Sequence, residues 1–71
     1  MGDIISAKID GARVTLHDKD GMMRSQVSPP GPGVPQMAYV NGDILIVNLD
    51  DGKMITYQKS RNDNFLMQSI R

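Results

Sequence analysis

Seventy-one residues without a cysteine suffice for one domain but offer no disulfide staple, so a fold this small must rely on a compact core or on association. Eight acidic residues cancel eight basic ones, and residues 1–35 and 36–71 are each neutral, which removes the clustered positive charge that nucleic acid or an anionic membrane surface requires. All eight acids are Asp, a residue of turns and caps rather than helix interiors, so the composition favours short strands joined by tight turns.

The chain opens on Met1-Gly2-Asp3-Ile4-Ile5-Ser6, which matches the short myristoylation pattern but reads more economically as the start of a strand. It lacks the basic region and apolar core of a secretory signal, and its longest apolar runs are far too short for a membrane span. A soluble, cytoplasmic protein with no membrane partner is expected. Asp10-Gly11, Asn41-Gly42 and Asp51-Gly52 each lie between alternating apolar segments, where Gly or Asn supplies the positive φ of a tight hairpin. Asp18-Lys19-Asp20-Gly21 marks a fourth turn and Ser60 to Asn64 a fifth. The strands these turns predict are 3–9, 12–17, 22–27, 37–40, 43–49, 53–59 and 65–70.

Ser28-Pro29-Pro30-Gly31-Pro32-Gly33-Val34-Pro35 can neither donate a ladder of hydrogen bonds nor settle into a helix. The predicted organisation is therefore a single β domain over 1–71, with a three-stranded meander over 1–27, a Pro/Gly linker over 28–36 and a four-stranded meander over 37–71. Its class is all-β, a small antiparallel barrel or roll of SH3-like or OB-like size. The linker contains P-x-x-P spacings, Pro29 with Pro32 and Pro32 with Pro35, but the interspersed Gly weakens a polyproline helix and favours a stiff crossover.

The halves resemble each other. Gly2-Asp3-Ile4-Ile5 recurs as Gly42-Asp43-Ile44-Leu45, and this alignment matches inward positions Ile5, Ala7 and Ile9 with Leu45, Val47 and Leu49. It also matches Val14 and Leu16 with Ile55 and Tyr57, and Met23 and Val27 with Leu66 and Ile70, as an internal duplication of a three-stranded unit would. The opposite faces differ. In the first half that face reads Ile4, Ser6, Lys8, Arg13, Thr15, His17, Met22, Arg24 and Gln26, a solvated set. In the second it reads Ile44, Ile46, Asn48, Met54, Thr56, Phe65 and Met67. Ile44, Ile46, Met54, Phe65 and Met67 thus form a candidate interface, because an apolar patch on both sides of a sheet marks an interaction surface and Met adapts to a partner.

The chemistry-bearing residues are few. His17 is the one histidine, so a Ser-His or Cys-His pair would depend on it alone, and it falls on a solvated strand end. Asp18 and Asp20 beside it lack the further carboxylates of a Ca²⁺ loop. No metal site, cofactor site or small-molecule substrate is expected, and no catalytic residue is assigned. Asn41-Gly42-Asp43-Ile44, followed by Leu49-Asp50-Asp51-Gly52 and Thr56, resembles a strand-turn-strand segment of the self-cleaving repressor peptidases. Their dyad Lys lies two residues after such a Thr, where this chain has Gln58. Lys59 is one residue off and belongs to the other face, and the nucleophile motif is absent, so the resemblance carries neither activity nor residues.

The expected function is a non-enzymatic protein-interaction or assembly module that self-associates or docks on a protein partner through the C-terminal sheet. A small accessory protein of a bacteriophage or bacterial complex would suit its size. The alternative is a small β-barrel that binds single-stranded nucleic acid, with Tyr39, Tyr57 and Phe65 stacking on bases and Lys53, Lys59 and Arg61 reaching phosphate.

Overall fold

A computed structural model describes residues 3–61 and 64–71; the myristoylation pattern's Gly2 and part of the Ser60–Asn64 turn lie outside them. Seven strands follow in order: β1 (Ile4–Asp10), β2 (Arg13–Asp18), β3 (Met23–Val27), β4 (Pro35–Asn41), β5 (Ile44–Leu49), β6 (Met54–Lys59) and β7 (Phe65–Ile70). They form two antiparallel sheets, β1-β2-β3 and β4-β5-β6-β7. Strand β1 lies along β4, while β3 and β7 at the other edges approach only sparsely and share no ladder. Between the sheets lies one core of Ile4, Val14, Leu16 and Val27 from the first and Leu45, Val47, Leu49, Ile55, Tyr57 and Phe65 from the second.

The turns work as the sequence requires. Asp10 pairs with Arg13 and Asn41 with Ile44, closing two-residue loops whose first residues, Gly11 and Gly42, have φ of 62° and 65°. Other residues avoid that region because of their Cβ. The β2–β3 and β5–β6 turns are three-residue loops of a second kind. Asp18 N–H donates to Met22 O and Gly21 N–H to Asp18 O; Leu49 N–H donates to Lys53 O and Gly52 N–H to Leu49 O.

These matched turns redefine the internal repeat. Both loop types recur thirty-one residues apart, at Gly11 and Gly42 and at Gly21 and Gly52. A register shift also recurs at that spacing, between Ile4 and Ser6 in β1 and between Pro35 and Met37 in β4. The repeated unit is therefore β1-β2-β3 against β4-β5-β6, with β7 outside it. The Gly2-to-Gly42 alignment is overturned, because it superimposes a two-residue loop on a three-residue one.

Bulges also correct the predicted core. Ile5 is the extra residue in β1, so Ile4 turns inward at 4% exposure and Ile5 outward at 56%. Arg24 is the extra residue in β3, which sets Met23 opposite His17 on the outer face. In β7 the extra residue is Gln68, and Phe65, predicted on the outer face and in the interface, pairs with Lys59 and is buried. Leu66, predicted inward, is exposed. Each bulge adds one residue and inverts the inward-outward alternation beyond it.

The linker is fastened at its end. Val34 N–H donates to Asp50 Oδ1 and Asp50 N–H to Val34 O, both at 2.9 Å. A Cβ on Gly33 would come within 3.0 Å of Leu49 Cδ1 and Asp51 Oδ2. The bare glycine thus lets the crossover lie against the β5–β6 turn, and Pro35 begins β4 as a buried residue.

Tyr57 is the core's one polar irregularity. Its hydroxyl is buried without a hydrogen-bond partner among the described residues, and burial pushes its pKa above the ordinary 10.0. The unfolded chain ionises at that value and the folded chain only above it, so this contribution is complete below pH 10.0 and is lost as pH rises through the raised folded value. Tyr57→Phe should keep the fold, raise stability by up to about 1 kcal/mol and flatten the alkaline fall; denaturant melts of both proteins across that range check it.

Candidate interaction surface

Residues directly opposite each other in an antiparallel ladder share a face, so the registers define the outer surface of β4–β7. One row runs Asn41, Ile44, Gln58, Leu66; the next runs Tyr39, Ile46, Thr56, Ser69; the third runs Met37, Asn48, Met54. Arg71, which exchanges backbone hydrogen bonds with Met54 in both directions, brings the one charge, at a corner. Gln68 Nε2 donates to Gln58 Oε1 at 2.6 Å. Met37, Tyr39 and Leu66 are exposed, and Ile44, Ile46 and Met54 are half-buried by their neighbours in the sheet.

Of the sequence-derived interface residues, the structure brings Ile44, Ile46 and Met54 together on this surface. It moves Phe65 into the core. Met67 pairs with Tyr57 on the inward side of β7 yet remains exposed, as does Ile70 opposite Ile55. Sequence reasoning missed Met37, Tyr39 and Leu66. The first two were legible as the alternate positions of the predicted strand 37–40; Leu66 was hidden by the bulge.

The outer surface of β1–β3 is chemically different. Its registered residues include Lys8, Thr15 and Gln26 in one row and Asp10 with Arg13 in another. His17 is half-buried there, with Nε2 2.9 Å from Thr15 Oγ1 and Nδ1 3.2 Å from Gly21 O. These contacts engage both ring nitrogens in local structure. Asp18 is buried, and its Oδ1 accepts from the backbone N–H groups of Asp20 and Met22 at 2.9 and 3.1 Å. The carboxylate thus organises a turn. Among the described residues no group of three His, Cys, Asp or Glu is placed to hold a metal.

A hollow of about 330 Å³ opens where the start of β1 meets the β4–β5 turn, lined by Asp3, Ile4 and Ile5 and by Val40, Gly42, Asp43 and Lys59. Lys59 Nζ lies 3.9 Å from Asp3 Oδ1. Among the described residues the hollow's lining offers carboxylates and one amine but no hydroxyl, thiol or imidazole. Gln58, at the position of the peptidase lysine, is exposed on the outer surface, whereas Lys59 pairs with Phe65 on the inward side. For the nucleic-acid reading, Tyr57 and Phe65 are both buried, which leaves Tyr39 as the one exposed ring.

No protein-family model, curated protein or solved structure matches this chain. No helix among the described residues is long and apolar enough to cross a membrane.

Proposed function

We propose that this chain is a non-enzymatic assembly module that self-associates through the outer surface of β4–β7. The observation that carries the reading is the contrast between the two outer surfaces: three rows of apolar and uncharged residues on the four-stranded sheet, charges on the three-stranded one. A small single-chain domain gains little by displaying Met37, Tyr39, Ile44, Ile46, Met54 and Leu66 on one sheet, whereas a partner converts that display into buried area. Its polar members, Asn41, Asn48, Thr56, Gln58 and Ser69, are uncharged and can be buried against a partner that answers their hydrogen bonds.

Methionine oxidation tests this directly, because the chain carries its own internal standard. Met37 on the outer surface of β4–β7 is 56% exposed, and Met22, in the turn before β3, and Met23, its first residue, are 63% and 57% exposed. In the isolated chain these three would react with dilute peroxide at similar rates. Association through the proposed surface predicts that Met37 reacts severalfold more slowly than Met22 and Met23 at high protein concentration, and that the difference fades on dilution. Equal rates at every concentration would contradict the reading.

A further inference from the structure

The strand outside the repeat points to a second contact, separate from the outer surface. Strand β7 ends the four-stranded sheet, with β6 on one side and, among the described residues, no strand paired on the other. Natural edge strands are guarded by charge, proline, bulges, shortness or a covering element. Here β1 and β4 cover each other, and β3 is the shortest strand and carries Arg24. Strand β7, Phe-Leu-Met-Gln-Ser-Ile, has no charge, proline or glycine, and its one irregularity is the bulge at Gln68. It is also apolar and open on both sides, with Leu66 61% exposed outward and Met67 and Ile70 51% and 46% exposed on the inward side.

The open backbone groups can be assigned. Arg71 and Met54 exchange both hydrogen bonds, so alternation turns the N–H and C=O of Ile70 away from β6. At the other end Ser60 N–H donates to Asn64 O, which by the same alternation turns the N–H and C=O of Phe65 away. A second β7, antiparallel to the first with Phe65 opposite Ile70, brings these open groups together twice. The same register sets Leu66 opposite Ser69 on the outer surface and keeps Phe65 and Ile70 on the inward side. It places Arg71 opposite Asn64, so no like charges meet.

We propose that two copies of this chain pair along β7, in an antiparallel two-fold arrangement that joins their four-stranded sheets into one of eight strands. The occupant of the edge is a second copy because β7 is complementary to itself in backbone direction, side-chain face and charge.

The test compares the full chain with Ile70→Pro and Ile46→Asp by sedimentation equilibrium, with far-ultraviolet circular dichroism as the check of fold. Ile70→Pro removes an outward N–H at a half-exposed side chain and leaves the β6 ladder its hydrogen bonds. The proposal expects this variant to stay folded and to associate at least tenfold more weakly along the edge, lowering the assembly's mass. A wild-type chain that is monomeric at all concentrations overturns it. So does an unchanged mass for Ile70→Pro; if Ile46→Asp lowers the mass in that case, the surface reading stands and only the edge contact fails. Loss with Ile70→Pro but not Ile46→Asp supports the edge and removes the surface. Should Ile70→Pro unfold, wild-type protein mixed from labelled and unlabelled chains decides. An intermolecular contact between the α-protons of Leu66 and Ser69 supports the pairing, and its absence in a sample of proven oligomers overturns it.

Discussion

Leu45→Ala should cost about 2–5 kcal/mol, the range for emptying a filled core site of this size. Leu45 is fully buried in β5, flanked in register by Val40 and Tyr57, and it belongs to the core shared with the β1–β3 sheet. A domain of this length has a total stability of about 4–10 kcal/mol, so the variant should lose a large share of it, with a melting point lower by about 10 °C or more. The neighbouring Ile46→Ala supplies the contrast. Its side chain stands on the outer surface and is half-buried only by its own sheet, so under conditions where the chain is dispersed it should cost less than half as much. Thermal melts of both variants decide the matter. Equal losses would mean that the sidedness of β5 has been assigned wrongly.

Ile46→Asp should have the largest effect on association. Ile46 sits in the middle row of the outer surface, between Tyr39 and Thr56, with Ile44 and Asn48 before and after it on the same strand. An apolar interface closing over a carboxylate at that point must either strip its water or open. The expected result is association weakened by about a hundredfold, equivalent to about 2.7 kcal/mol. The fold of the dispersed chain should survive, because the new carboxylate faces water there. Thr15→Asp, on the outer surface of the other sheet opposite Lys8, is the matched control and should leave association unchanged. Equal effects from both substitutions would point to net charge rather than position.

Much of the architecture was legible in the sequence because its punctuation is explicit. Each Gly in an Asp-Gly or Asn-Gly pair takes a positive φ that other residues resist, and strands β1 to β6 fall beside those turns, although β4 begins at Pro35, inside the predicted 28–36 linker. What the sequence concealed was parity. An alternation such as Ile4-Ile5-Ser6-Ala7 fits either face, and only the ladder with β2 reveals that Ile5 is the inserted residue. The same ambiguity exchanged Phe65 and Leu66 between core and surface, since each is large and apolar and the bulge at Gln68 leaves no compositional trace. The repeat was misaligned for a related reason. Gly-Asp-Ile followed by an aliphatic residue is a short match, whereas the lengths of the loops distinguish the units.

The candidate surface was legible in its centre and along β4, but not on β7. Ile44, Ile46 and Met54 lie in β5 and β6, which pair without a bulge, so alternation alone placed them correctly. At the margins, Met37 and Tyr39 alternate regularly on β4 beyond its register shift, whereas the bulge at Gln68 in β7 hid Leu66. Position in a sheet, rather than hydrophobicity, decided which apolar residues the sequence could assign.

The central claim, that the uncharged surface of β4–β7 is an association surface, is tested most directly by absolute mass from light scattering after size exclusion, over a range of concentrations and at low and high salt. The expected mass lies above that of one chain, rises with concentration and is undiminished by salt, since screening does not weaken contacts between uncharged groups. A mass of 7.8 kDa, that of the single chain, at every concentration and salt level would contradict it.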